Sequence, residues 1–212
     1  MGSAVSVWAV IPVKRLSSAK SRLAPALSAA GRVALARRLL LSTLDAAQSC
    51  SALTGVVVVS ADPEVRRLAV ARGLAAYPDP PASDADSLNA AVTLGCRRVT
   101  ALGALAALVL PIDLPLVSPD VIAQFVWRAG DAAVGVAPDG AGTGTNALLL
   151  RPPLAITPAF GPDSFARHGA LARERGTLPT TVALPALSFD LDTPHDLLRS
   201  APSLGEAPNG NG

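Results

Sequence analysis

The sequence predicts a single α/β domain over residues 1–200, a mostly parallel sheet with helices on both faces. Three observations carry this. Short apolar runs alternate with segments of helical spacing in a β-α-β-α-β-α-β-α-β order, which implies crossover helices covering a parallel sheet. The first run, Val5 to Val13, is apolar without interruption, as a strand buried on both faces must be. Half of the 212 residues are hydrophobic, enough for one sizeable core, and only 3% are aromatic, so that core is made of Ala, Val and Leu.

The elements follow in order. After the first strand, Ala29 to Ala47 places Val33, Ala36, Leu39, Leu40, Leu44 and Ala47 at helical spacing, with Ser28 as N-cap. Val56 to Val59 is a second strand. Asp62-Pro63-Glu64 opens a helix that runs through Arg72, Pro at its favoured first position, and Gly73 ends it. Ala75 to Tyr77 is a third strand, Pro78 to Asp86 a loop, Ser87 to Thr100 a helix and Leu105 to Leu110 a fourth strand. Ser118 caps a helix reaching Ala129, and Ala132 to Ala137 is the next strand. Then the pattern changes. A Gly/Thr loop from Asp139 to Thr145 leads to a strand at Asn146 to Leu150, which is expected to bring in an antiparallel element. Arg151 to Pro162 is irregular, Ser164 to Arg175 helical and Val182 to Leu184 a short strand. Thr193 caps a last helix reaching Arg199. Ala201 to Gly212 is Gly/Pro/Asn-rich and reads as a disordered tail.

Composition excludes some functions. A net charge of +2 argues against a nucleic-acid partner, while the concentration of basic residues between Lys14 and Arg38 suits a small anionic ligand. Cys50 and Cys96 fit no metal spacing and read as free thiols in a reducing compartment. There is no run of about 18 apolar residues to span a membrane, and Val5 to Val13 lacks the flanks of a signal peptide. The expectation is a cytoplasmic protein.

The chemistry lies in two acidic clusters and a basic loop. Asp113 follows the fourth strand, where open α/β sheets bind ligands. Asp190 and Asp192 stand at i and i+2 on an extended segment. Three hard oxygen donors brought together suit Mg2+ carrying phosphates. Without a cation they would repel and raise one another's pKa. Lys14, Arg15, Lys20 and Arg22 lie between the first strand and first helix, the phosphate position of such sheets, although neither a Walker A loop nor GxGxxG is present. Gly142 to Asn146 is a loop of small donors. Gly161-Pro162-Asp163-Ser164 opens a helix with Ser164 as its cap, an anion site to which Arg167 and His168 would add charge unless His168, like His195, is simply a surface histidine. No Ser/His/Asp or Cys/His arrangement and no zinc spacing is visible. The constellation is one of phosphate binders and a metal, not of an activated nucleophile.

Six motifs in order carry a resemblance: Val13 to Pro25, Asp86 to Ala91, Asp113-Leu114-Pro115, Gly142 to Asn146, Phe160 to His168 and Asp190 to Pro194. Together they resemble the guanylyltransferases of deazaflavin coenzyme F-420 biosynthesis, which use 2-phospho-L-lactate or phosphoenolpyruvate, and the match spans roughly residues 6 to 199. The resemblance implies a nucleotidyltransferase-like fold (Rossmann-like, GT-A type), GTP as donor and Mg2+ as cofactor. It implies Asp113, Asp190 and Asp192 as metal ligands, with Lys20, Arg22 and Asp113 catalytic. Thr145, Gly161 and Ser164 would bind the acceptor, and Lys14, Arg15, Lys20, Arg22 and Asn89 the nucleotide. Pro12 stands where related nucleotidyltransferases carry glycines, in agreement with this family's own loop. The acceptor phosphate is largely dianionic at neutral pH and needs no general base. The labile product implies hand-off to the next pathway enzyme. The acceptor stays open at this level, since phosphoenolpyruvate, 2-phospho-L-lactate and 3-phosphoglycerate share a phosphate and a carboxylate. Two other readings also stay open: a molybdenum-cofactor guanylyltransferase or sugar-phosphate cytidylyltransferase, and a non-catalytic nucleotide-binding module.

Overall fold

A seven-stranded sheet organises the molecule, in the order β3-β2-β1-β4-β6-β5-β7. The structure is a computed structural model and describes residues 6–81 and 87–204. Val5, the Ala82–Asp86 part of the expected loop and the tail beyond Leu204 lie outside the described residues. The strands are β1 Val7–Val13, β2 Gly55–Ser60, β3 Ala75–Tyr77, β4 Ala106–Val109, β5 Val134–Pro138, β6 Thr145–Leu150 and β7 Thr180–Thr181. The helices are α1 Ala29–Ser49, α2 Pro63–Ala71, α3 Ser87–Ala101, α4 Pro119–Ala129, α5 Ser164–Glu174, α6 Pro185–Ser188 and α7 Pro194–Leu204.

Strands β3, β2, β1 and β4 are parallel neighbours, and β7 is parallel to β5. β6 is antiparallel to both β4 and β5 and lies between them. The mostly parallel sheet and an antiparallel element in the second half are therefore as expected, while the position of that element between β4 and β5 was not.

The two faces are sorted by the period-2 alternation of strands. In β1, Val7, Ala9, Ile11 and Val13 enter one core, with Leu40 and Leu44 of α1, Val65 of α2 and Phe125 of α4. Val10 enters the other, with Val92 and Cys96 of α3 and Ala172 of α5. The same split runs through β2 and β4 (Val56 and Val58 against Val57 and Val59; Ala106 and Leu108 against Ala107 and Val109). At Gly95 of α3 an added Cβ would stand 2.3 Å from Val10 Cγ1, so glycine lets this helix sit close on the sheet.

Three helix starts follow the predicted chemistry. Ser28, Asp62 and Ser118 each accept a first-turn N–H with the side chain, from Gly31, Glu64 and Val121. The last quarter departs from expectation. The strand expected at Val182–Leu184 is Thr180–Thr181, with pairing carried one bond further by Val182 N–H to Val136 O at 2.8 Å. Helix α6 was not legible. Helix α7 continues past Arg199 to Leu204, into the segment expected to be disordered.

Candidate active site

The parallel strands β1 and β4 end side by side, and a cleft of about 410 Å³ opens beyond their C-terminal ends. Lys14, Lys20 and Arg22 line it from the first loop, Asp113 from the end of β4 and Asp192 from the segment before α7. Sequence positions about eighty and a hundred and seventy apart thus face one volume, as the rule for open α/β sheets anticipates.

Local physics explains how the loop reaches the acids. Two 3₁₀ turns, Leu16–Ser18 and Ser21–Leu23, bury Leu16 and Leu23. Leu16 N–H donates to Asp62 Oδ2 at 3.0 Å, tying the loop to the cap of α2. Leu23 packs with Leu191 in a small apolar cluster that includes Leu27, Leu35 and Leu197. Leu191 N–H donates to Asp113 O at 2.9 Å. Leu191 is thereby anchored on both sides, and Asp190 and Asp192 flank it. The start of α7 closes as a capping box: Asp196 N–H donates to Thr193 Oγ1, while Asp196 Oδ2 accepts from the N–H groups of Asp192 and Thr193.

Lys20 is the tightest link. Its backbone is left-handed, φ 55°, an unfavourable region for a residue with a Cβ. Its Nζ donates to Leu191 O at 2.7 Å and to Asp192 Oδ1 at 3.1 Å, with the side chain only 7% exposed. Arg22 reaches Asp192 Oδ2 at 3.6 Å from an exposed position. Burial raises the Asp113 carboxyl above its ordinary range; Lys20 opposes the rise, and Asp192 and Asp190 add to it. Burial raises Asp190 as well, opposed by hydrogen bonds from its own backbone and from Asn146, while Asp192 and Asp139 repel it.

The donor set fits magnesium in a particular way. Two carboxylates, Asp113 and Asp192, face the cleft and repel one another, a strain that a cation relieves. Among the described residues no group of three or more His, Cys, Asp or Glu side chains is placed to hold a metal. Magnesium is commonly held by one or two carboxylates and completed by substrate phosphates. Asp190 does not line the cleft, and its charge acts on Asp113 without facing that volume.

The other predicted residues lie elsewhere. Arg15 is exposed and does not line the cleft. Both ends of the Asn89 amide are taken by Phe160: Oδ1 accepts from its N–H at 2.7 Å and Nδ2 donates to its carbonyl at 3.1 Å. Asn89 also lines a separate cavity with Pro80, Thr93, Arg97 and Pro158. Thr145 opens β6, while Gly161 and Ser164 stand at the start of α5, and none of the three lines the cleft. Ser164 is not the cap of α5: Asp163, left-handed at φ 53°, holds that position without a side-chain cap bond, and Ser164 is the buried first residue of the helix. The helix start is also less free than expected, since Ser164 N–H donates to Gly161 O and Phe165 N–H to Thr143 O. His168 is no surface residue. It is fully buried, its pKa lowered by burial to about 4, with ring bonds to Thr145 Oγ1 and Ala159 N–H, so it adds no charge at neutral pH. Sequence reasoning missed this histidine as a structural partner of Thr145, and Asn146, read as one of a loop of small donors, is instead buried with Nδ2 on Leu187 O at 2.8 Å.

The fold defines a class. The solved structure of a putative nucleotide-diphospho-sugar transferase from Desulfovibrio desulfuricans superimposes with a TM-score of 0.72 at 12% identity, covering 90% of this chain and 84% of that one. That of a 4-diphosphocytidyl-2C-methyl-D-erythritol synthase superimposes with a TM-score of 0.66 at 16% identity, over 94% and 98% of the two chains. The fold is nucleotidyltransferase-like. Within that class, residues 7–200 match the family described as "Guanylyl transferase CofC like", and the chain belongs to it. The phosphoenolpyruvate guanylyltransferase of Rubrobacter xylanophilus is 43% identical over 205 residues, which cover 95% of this chain and 96% of that protein.

Proposed function

We propose that this protein transfers GMP from GTP to the phosphate of phosphoenolpyruvate and releases pyrophosphate, within coenzyme F-420 biosynthesis. The observation that carries the reading is the single cleft in which Lys14, Lys20 and Arg22 face Asp113 and Asp192 in a chain of this family. The cations suit a triphosphate. The carboxylates beside them suit magnesium, which when bound would neutralise phosphate charge and withdraw electrons from the α-phosphorus. Asp113 and Asp192 would hold it together with phosphate oxygens.

The chain's own residues do the rest. The basic loop binds and orients the triphosphate. Lys20 is bonded to Leu191 O and Asp192 in this structure, which keeps an ammonium group at the boundary between the triphosphate and the acids. An oxygen of the acceptor phosphate attacks the α-phosphorus, a new P–O–P bridge forms, and the bond to the β-phosphate breaks with pyrophosphate as leaving group. No proton needs to be removed, because the attacking phosphate is already largely dianionic. That agrees with His168, whose two nitrogens are both engaged and which could not act as a general base without breaking those bonds. Thr145, Gly161 and Ser164 are read as the acceptor group, with Asn89 supporting that group through Phe160 instead of touching the nucleotide.

Phosphoenolpyruvate is preferred over 2-phospho-L-lactate and 3-phosphoglycerate because the relative covering nearly all of the chain carries that substrate's name. Pyrophosphate release is measured with GTP, ATP, CTP and UTP against the three phosphorylated acids, a sugar phosphate and molybdopterin. Selective release with GTP and phosphoenolpyruvate is expected. Release that requires CTP and a sugar phosphate overturns the reading, and no release with any pair returns the fold to a binding module.

A further inference from the structure

His168 is fully buried on α5, yet both ring nitrogens have partners. Ala159 N–H donates to Nε2 at 3.0 Å, so Nε2 carries no proton. A neutral imidazole then has its proton on Nδ1, and Nδ1 lies 3.0 Å from Thr145 Oγ1. The tautomer sets the direction of that bond: Nδ1–H donates and the Thr145 hydroxyl accepts. A hydroxyl that accepts from His168 keeps its own proton to give to something else. The Phe160 ring closes on the imidazole edge-on at 5.0 Å between centroids and 73°, which fixes the ring plane.

The backbone beside it has the same character. Three successive amides run from Ala159 to Gly161. The first is taken by His168 and the second by Asn89. The third, Gly161 N–H, has no acceptor among the described residues, and Gly161 stands at φ +117°, a conformation that glycine tolerates. Two side chains therefore hold the segment and leave one N–H over. The Thr145 hydroxyl proton and the Gly161 N–H are both donors, which suits a ligand whose recognition atoms are acceptors only, a carboxylate or a phosphate.

We propose that His168 is a positioning residue for the anionic acceptor: by donating to Thr145 Oγ1 and accepting from Ala159 N–H, it obliges the Thr145 hydroxyl to donate and fixes the turn that presents the Gly161 N–H. This rests on the assignment of Thr145 and Gly161 to the acceptor, and the test separates the two ideas.

Pyrophosphate release is followed while phosphoenolpyruvate is titrated at saturating GTP and GTP at saturating phosphoenolpyruvate. His168→Leu removes both ring bonds and should raise the acceptor KM about tenfold or more, with the GTP KM within about twofold of wild type. His168→Asn places an amide N–H close to the Nδ1 position and should recover most of that loss. His168→Gln reaches the Nε2 position, serves Ala159 only, and should recover less. A histidine that merely fills space would move both KM values together or neither, and Asn would rescue nothing; either result overturns the proposal. If His168→Leu does not fold, His168→Gln decides, and a wild-type acceptor KM in that variant overturns the proposal. Thr145→Val tells the two failures apart. An acceptor KM raised by Thr145→Val but not by the His168 variants overturns the role of His168 alone. An acceptor KM untouched by Thr145→Val overturns the acceptor assignment and the role of His168 with it.

Discussion

Asp113 sits where burial and two neighbouring carboxylates raise its carboxyl, with Lys20 and a backbone hydrogen bond opposing. Its charged form is therefore disfavoured in the folded state. Asp113→Asn should lower kcat about 100-fold or more by removing a ligand that stabilises developing charge, while Tm stays level or rises. A thermal melt beside a steady-state assay checks both, and a fall in Tm with kcat intact would contradict the assignment. His168 gives a pH test. Its folded pKa is lowered to about 4 from an unfolded value of 6.5. Between those values the unfolded chain binds the extra proton, so the contribution to stability is fully present above pH 6.5 and is lost as pH falls towards 4, by up to about 3 kcal/mol. His168→Asn lacks this term, so the Tm advantage of wild type over that variant should shrink from pH 7 to pH 4. At this scale residue types were legible, but environments were not: nothing near His168 in sequence announces burial against Thr145, 23 positions away.

The first loop is the element on which the site depends. Its helical turns and left-handed Lys20 are held by the Leu23–Leu191 contact and by Lys20 on Leu191 O. Leu23 is fully buried, so Leu23→Ala should cost about 2–5 kcal/mol. Because the Asp192 segment loses its anchor, the GTP KM should rise as well, measured by denaturant unfolding and GTP titration of the same preparation. A loop that loses stability but keeps its GTP KM would not be the donor wall. Lys20→Ala should raise the GTP KM more than Arg22→Ala, because Lys20 is nearly buried and doubly bonded whereas Arg22 is exposed and contacts Asp192 only at 3.6 Å. The element pattern was largely legible because it is local: apolar runs, caps at Ser28, Asp62 and Ser118, and a Pro at the first turn of α2 and α4. Thr180–Thr181 was missed because two residues carry no periodicity, and α6 because four do not.

Across the whole molecule, the sheet order brings the site together. β1 and β4 are neighbours although α1, β2, α2, β3 and α3 intervene in the chain, and β6 inserts between β4 and β5. The parallel class could be read from alternation, and the placement of acids and bases at strand ends from the rule for open sheets. The insertion of β6, the Lys20–Asp192 pair 172 positions apart and the Asn89–Phe160 clamp 71 apart could not, because each depends on which surfaces meet after the chain has closed. None of Thr145, Gly161 and Ser164 lines the basic-acidic cleft, and the central proposal about function is that GMP passes from GTP to the phosphate of phosphoenolpyruvate at that cleft. Phosphorus NMR of purified protein with GTP, phosphoenolpyruvate and magnesium tests it most directly. The account predicts that the phosphoenolpyruvate monoester signal is replaced by a pair of coupled diphosphate-diester signals with one equivalent of pyrophosphate, and that Asp113→Asn abolishes the change. Conversion of GTP to GDP and inorganic phosphate with phosphoenolpyruvate unchanged, or no change at all, would contradict it.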